Sequence, residues 1–383
     1  MLAQQRHDYV LEQLRAHGAI RSTEVVAGLG VSDGTVRRDL ELLEQQGRLT
    51  RVRGGAVLPP GSTPGAVPRT AVGAAGGPVG GIVIGMLVPS TTYYFPEVIR
   101  GAQSAAARAG ARLILGVSDY DRERDPGQLR DLVSSGCDGL LVTTAEGPVV
   151  PARVRKQLDV SGLPYVLVER RSAAAFDHAE CVLSDHRQGA YRAVEYLAGL
   201  GHDGVALFAS PSPTARAVTE GHAEAVRLLG LSRSAPVLGY EQGADRLSAI
   251  DAFVHSCRAS GATAALVHSD QEAILLVQRL RAHGVRIPED LSVIAYDDEV
   301  AAFAEVPLTA VAPPKFELGL IAASTLLDRL GAGADGTGTA AGTAEPAVRQ
   351  TVLQPRLVLR SSTAVGAVAA AAGAIADAAA VGR

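Results

Sequence analysis

Residues 263–299 read TAALVHSDQEAILLVQRLRAHGVRIPEDLSVIAYDDE: a short apolar strand, an amphipathic helical stretch from Gln271 to His283, and a second short strand, LSVIAYD. That order is one βαβ unit, which demands a parallel sheet. Outward from it the same rhythm runs back to Ile82. IVIGMLVP (82–89), EVIRGAQSAAARAG (97–110), RLILGVS (112–118), a helix to Ser135 and GLLVTT (139–144) come first. PYVLVER (164–170), RQGAYRAVEYLAGLG (187–201), GVALFAS (204–210) and TEGHAEAVRLLG (219–230) follow. This is more alternating sequence than one doubly wound domain usually holds, so it predicts two α/β lobes.

Three stretches interrupt the rhythm. Pro59–Gly81, rich in Pro, Gly, Ser and Thr, reads as a linker. Gly331–Ala344 (GAGADGTGTAAGTA) has no face to bury and reads as a flexible loop. After Ser361 the chain is mostly Ala and Gly, a tail over 361–383. With 383 residues the chain exceeds one ordinary core, and none of its apolar runs approaches the roughly 20 residues that a membrane span needs. The charged N-terminus, MLAQQRHDYVLEQLRAHG, lacks the apolar segment of a secretory signal. A soluble, cytoplasmic protein without membrane contact is the expectation. Cys137, Cys181 and Cys257 lie far apart without metal-ligand spacing, which predicts buried thiols.

The net charge of −4 carries no basic signature for nucleic acid, so any such role must come from a local patch. The first 58 residues supply one. Val10 and Leu14 share a helix face, Ser22 caps a short helix bearing Val25, Val26 and Leu29, and Ser32 caps another with Val36, Leu40 and Leu43 turned inward. Asp33, Thr35, Arg37 and Arg38 fall on the other faces of that helix. GRLTRVRGGAV (47–57) then alternates basic and apolar residues about a Gly-Gly turn, which reads as a two-stranded wing. The unit is near neutral, eight arginines against seven acids, so the weight falls on where its arginines cluster.

VSDGTVRRDLELLEQQGRLTRVRGGA (31–56) resembles the DNA-binding signature of the DeoR family, over about residues 4–58. The resemblance implies double-stranded operator DNA as a partner. Ser32, Thr35, Arg37 and Arg38 would enter or flank the major groove, supported by Ser22 and Thr23, with Arg51 and Arg53 of the wing on phosphates. Guanidinium forks suit guanine edges and phosphates alike.

From Ile82 to about Arg360 the chain is instead similar to the effector domain of the LacI/GalR family, which is related to periplasmic sugar-binding proteins. The motifs are YYFPEVIRGAQSAAARAG, LPYVLVERR, SDHRQGAYRAVEYLAGLGHDGVALF, residues 268–299, and PLTAV (307–311). The fold class implied is α/β, an N-terminal winged helix-turn-helix (1–58), a linker (59–81) and a two-lobed, type I periplasmic-binding-protein-like domain (82–360) of parallel sheets flanked by helices. The lobes would comprise 82–183 with 312–331, and 184–311 with 345–360.

The resemblance implies a transcriptional repressor, not an enzyme, with a small-molecule effector, a sugar, in the interlobe cleft and no cofactor or metal. It also implies a homodimer, since operators are twofold. Tyr93, Tyr94 and Phe95 would stack on the sugar, and Asp297 would accept its hydroxyls. Asp185, Ser269, Asp270, Arg170 and Arg171 end strands or open the next element in the same way, and Asp270 can alternatively cap its own helix. One departure is AVTEG (217–221), where Val218 replaces an effector-clamping arginine and leaves Arg216 as the nearest substitute. Pro59–Gly81 also lacks a hinge-helix pattern, so minor-groove wedging is not expected. Two alternatives stand beside this reading: a non-sugar or protein trigger, or a metal-dependent enzyme using Asp297, Asp298 and Glu299 as a magnesium site.

Overall fold

The computed structural model describes residues 81–173, 179–241, 243–331 and 347–366, together with 6, 9–10, 13–14, 19–29, 31–45, 49–52 and 55–57 toward the N-terminus. Two units separate between Gly76 and Gly77. Most of the expected linker, most of the Gly-rich loop and the tail beyond Gly366 lie outside the described residues.

In the N-terminal unit a strand β1 (Ala19–Arg21) leads directly into helix α1 (Ser22–Leu29), followed by helix α2 (Asp33–Gln45) and strands β2 (Thr50–Val52) and β3 (Gly55–Val57). Val10, Leu14, Val25, Val36, Leu40 and Leu43, spaced in sequence for helix faces, meet in one buried cluster with Ile20, Leu49 and Ala56. Ser32 caps α2, its Oγ accepting the Thr35 amide at 3.3 Å. The expected two-stranded wing is in fact part of a three-stranded sheet, because β1 pairs antiparallel with β3 on the side away from β2. Three residues are too few for periodicity to register, yet Ile20 is buried and ties β1 to the helices.

The larger unit holds two six-stranded sheets among its described residues. The first takes β4 (Val83–Val88), β5 (Arg112–Val117), β6 (Gly139–Val142), β7 (Tyr165–Val168), β8 (Glu180–Ser184) and β14 (Gln350–Leu353), in the order β14-β8-β7-β6-β4-β5, all parallel. Helices α3 (Phe95–Arg108) and α10 (Lys315–Arg329) pack on one face of it; α4 (Asp125–Ser134) and α5 (Ala152–Ser161) cover the other. The second sheet takes β9 (Ala206–Ala209), β10 (Val237–Gly239), β11 (Ala264–His268), β12 (Ser292–Tyr296), β13 (Thr309–Ala312) and β15 (Arg356–Val358), in the order β10-β9-β11-β12-β13-β15. Only its β13–β15 pair is antiparallel. Helices α6 (His186–Gly199) and α7 (Ala215–Leu228) cover one face, α8 (Arg246–Ser260) and α9 (Asp270–Ala282) the other. Strands such as β4 and β12 are buried along their whole length, which is why they read as unbroken apolar runs without alternation.

The chain crosses between the lobes at β8 to α6, β13 to α10 and β14 to β15. The last crossing corrects the expected boundary, which gave 345–360 entirely to the second lobe. Residues 350–353 pair parallel with Cys181–Ser184 in the first sheet, and only Arg356–Val358 joins the second. Gln354-Pro355 divides the two, proline having no amide to continue a ladder. The expected tail also begins later. Ser362 is buried, with its Oγ accepting the Thr309 amide at 2.8 Å, and the Gly366 amide donates to Leu200 O at 2.8 Å. The three cysteines are free and buried, as their spacing suggests.

Helices α3 and α10 cross at backbone distance. A Cβ on Gly101 would overlap Phe316 O, and one on Gly319 would overlap Val98 O. Gly319→Ala is therefore expected to cost about 1–3 kcal/mol or more, since neither obstacle is a side chain that can turn away. Urea unfolding measures this directly, and an unchanged midpoint contradicts the packing.

Candidate functional site

Helix α2 presents its polar N-terminal half outward. Ser32, Arg37 and Arg38 are exposed, Thr35 is half-buried, and Ser32 Oγ lies 2.8 Å from Thr35 Oγ1. Behind them Asp39 is buried and holds Arg6 at 2.7 and 3.1 Å. Arg38 forms no ion pair among the described residues. Thr23 is exposed on α1 and Ser22 half-buried. Arg51 lies on β2, while its side chain and the whole of Arg53 fall outside what is described.

A cleft of about 1840 Å³ opens between the two lobes, lined by loops that leave the C-terminal ends of strands in both sheets. Tyr93, just before α3, spans it. Its hydroxyl, with one proton to give, lies 2.7 Å from Asp270 Oδ1 and 3.2 Å from Asp297 Oδ2, both on the second lobe. Burial and those two carboxylates push the Tyr93 phenol far above its ordinary value, so it remains a donor.

Asp297 follows β12, is buried and lines the cleft. Burial pushes its carboxyl from the ordinary 3.8 up to about 6, with Lys315 and His186 acting against the rise. Its charge thus costs stability above pH 6, and the cost is relieved as pH falls from 6 toward 3.8. Binding has the opposite dependence. Protonation removes a charged acceptor, so affinity for any hydroxyl-bearing molecule held by this carboxylate is expected to fall as pH drops through about 6. Calorimetric titrations across that range check this; affinity flat through pH 6 removes Asp297 from the contact set.

On the first lobe Glu169 is the hub. It accepts Tyr94 Oη at 2.6 Å, Ser184 Oγ at 2.6 Å and the Ser184 amide at 3.2 Å, and His186 Nε2 lies 3.4 Å away. Burial works to raise its carboxyl, but His186 and these donors outweigh it and hold it down at about 2. His186 sits in the crossover to α6, and its Nδ1 is 3.2 Å from the Tyr296 hydroxyl of the second lobe. Beside Glu169, Arg170 is buried; its Nε donates to Thr144 O and its Nη1 to Glu169 O, both at 2.8 Å. Burial lowers its pKa, and Arg170 lines the cleft. His268, on the opposite wall, is driven by burial and then by His186 down to about 3 and is neutral.

Two domain models match the chain: a DeoR-like helix-turn-helix domain over residues 6–60 and a periplasmic binding protein-like domain over residues 194–363. The HTH-type transcriptional repressor PurR of Vibrio atlanticus is 31% identical over 258 residues, 64% of this chain and 74% of that protein. The chain belongs to the LacI-type transcriptional repressors. The arabinose metabolism transcriptional repressor of Geobacillus stearothermophilus is 26% identical to this LacI-type repressor over 324 residues, 80% of the chain and 83% of the relative. A LacI family transcriptional regulator from Enterococcus faecium, solved with bound ribose, superposes with a TM-score of 0.59 at 26% identity, covering 74% of this chain and 99% of that one. The larger unit accordingly has the fold of a repressor effector domain, and the smaller that of a DNA-binding head.

Within the repressor's cleft the sequence-predicted residues separate into four groups. Tyr93, Arg170, Arg171, Asp185, Ser269 and Asp297 line it. Asp185 also caps α6, accepting the Gln188 amide at 3.0 Å. Tyr94 and Phe95 touch the wall, but their rings belong to the first lobe's core, so they are not open stacking faces. Asp270 is fully buried and does not line the cleft: Oδ2 accepts the amides of Glu299, Val300 and Ala301, and Oδ1 takes Tyr93. It is a positioning residue that fixes the loop behind Asp297. Arg216 stands at the rim, exposed and paired with Glu220 at 2.8 Å, and Val218 is wholly in the second lobe's core.

Sequence reasoning missed Glu169, His186, Tyr120 and Lys315. Lys315 is buried at the β13 to α10 crossover, bonded to Asp297 O and Glu299, with its Nζ 5.2 Å from the Tyr94 ring centroid. One of only two lysines in the chain, placed after Pro313-Pro314, it carried a signal that went unused. The three carboxylates weighed as a magnesium site have other partners. Asp298 holds Arg360 at 2.7 Å, Glu299 holds Lys315, and among the described residues no group of three or more His, Cys, Asp or Glu is arranged for a metal. No helix among the described residues is long and apolar enough to cross a membrane.

Proposed function

We propose that this repressor binds a sugar in the interlobe cleft and that the sugar sets its grip on operator DNA. One observation carries the assignment: a buried cation from the first lobe, Arg170, and a buried acid from the second, Asp297, line the same cleft. A small polyhydroxylated molecule meets both requirements at once, giving hydrogen bonds to the acid and accepting them from the guanidinium. A ligand so held ties the lobes together, and lobe geometry is what a dimeric repressor transmits to two half-sites. Shifting such a switch from mostly bound to mostly free takes on the order of 5 kcal/mol of differential affinity.

The protein works as a homodimer on twofold operators, in the cytoplasm where the DNA is, and as a binding protein rather than an enzyme. Ser22, Thr23, Ser32, Thr35, Arg37 and Arg38 of the helices, with Arg51 and Arg53 of the wing, form the DNA surface. Isothermal titration of the full-length protein against ribose, arabinose, galactose and cellobiose tests the effector. A saturable heat with one of them is expected, and silence from all overturns the sugar assignment.

A further inference from the structure

Between β5 and α4 the chain turns through Ser118-Asp119-Tyr120-Asp121, and this turn is unusual for what it exposes. Asp119 and Tyr120 both have left-handed backbone, φ 54° and 57°, a conformation that L side chains other than Asn and Asp rarely adopt. The turn is nevertheless firmly held. Ser118 is fully buried with its amide on Val88 O at 3.1 Å, the Tyr120 amide donates to Pro89 O at 3.0 Å, and Arg124 grips Asp119 at 2.7 Å.

What this anchored, strained turn displays is an aromatic ring, 51% exposed, on the wall of the cleft. The Tyr120 hydroxyl makes no hydrogen bond among the described residues, and it lies within electrostatic range of both Arg170 and Asp297. The other aromatic rings of the wall are packed within the protein: Tyr94 and Phe95 lie in the first lobe's core, Tyr93 packs against that core, and Tyr240 packs against the second lobe's core beside Phe208. The anchoring bonds offset the backbone strain, but among the described residues no partner covers the exposed half of the ring, and a ligand stacked on it would remove that apolar surface from water.

We propose that Tyr120 is the stacking platform for the effector, the flat C–H face of a sugar ring lying on it while the sugar's hydroxyls reach Arg170 and Asp297. The proposal rests on the sugar assignment above and adds which side chain reads the ring. The phenyl face is the active part, so the hydroxyl is dispensable.

The chain contains no tryptophan, so Tyr120→Trp places a single indole reporter in the cleft. The full-length protein and the Tyr120→Phe, Tyr120→Ala and Tyr120→Trp variants are titrated with ribose, arabinose, galactose and cellobiose by calorimetry, and the Trp variant also by emission. For the sugar that binds the parent protein, Tyr120→Phe is expected to bind equally and Tyr120→Ala roughly tenfold more weakly. Indole emission should shift and saturate in step with the heat. Parent-like affinity in Tyr120→Ala, or emission unmoved by a sugar that calorimetry shows bound, overturns the platform and leaves the sugar assignment standing. A parent protein that binds none of the four overturns both.

Discussion

Replacing Arg37 and Arg38 together by alanine is expected to weaken operator binding at least a hundredfold, roughly 3 kcal/mol, while leaving the fold intact. Both side chains are exposed on α2, away from the Val36, Leu40 and Leu43 face that packs the head, and alanine favours the helix. Each guanidinium is worth about 1–3 kcal/mol whether it reads a base or grips a phosphate. Fluorescence anisotropy on DNA from upstream of the gene, repeated at two salt concentrations, separates those roles. A lost phosphate contact lowers the salt slope by about one, and a lost base contact leaves it and relaxes sequence preference. Unchanged affinity in the double variant places the DNA surface elsewhere.

Asp297→Asn is expected to lower effector affinity on the order of 10- to 100-fold, because charge-assisted hydrogen bonds become neutral ones in a site of nearly the same volume. Effector-free DNA binding should persist, and the fall in effector affinity through about pH 6 should vanish with the carboxylate. The sign for stability is opposite. Since burial penalises the Asp297 charge, the asparagine variant should unfold at the same or a higher temperature than the parent above pH 6. A variant that keeps full effector affinity shows that Asp297 only supports Tyr93 and Lys315.

Much of the fold was legible because its elements are long and regular. The run from Ala264 to Tyr296 became β11, α9 and β12 as spaced, and Val36, Leu40 and Leu43 marked the buried face of α2. What escaped were segments whose structure depends on distant partners. Ala19–Arg21 is a strand only because Gly55–Val57 lies beside it, and residues 350–353 join the first lobe only because Cys181–Ser184 offers an edge there. The same holds at the cleft. Asp297, at a strand end, could be singled out from its position. That Asp270 is saturated by three amides and a phenol depends on residues far along the chain, and so does the gathering of Tyr94, Ser184 and His186 on Glu169. Tyr120 differs from these. SDYD between a strand and a helix contained it, but only the backbone angles and the exposed ring set it apart from an ordinary loop tyrosine.

The most direct test of effector control is binding of the full-length protein to its own upstream DNA at low and moderate salt, with and without ribose, arabinose, galactose and cellobiose. Specific, salt-sensitive binding that one sugar shifts, and that the same sugar fails to shift in Asp297→Asn, is the predicted result. Specific DNA binding indifferent to every sugar, or a sugar response unaltered in Asp297→Asn, contradicts the account of the cleft as the control site.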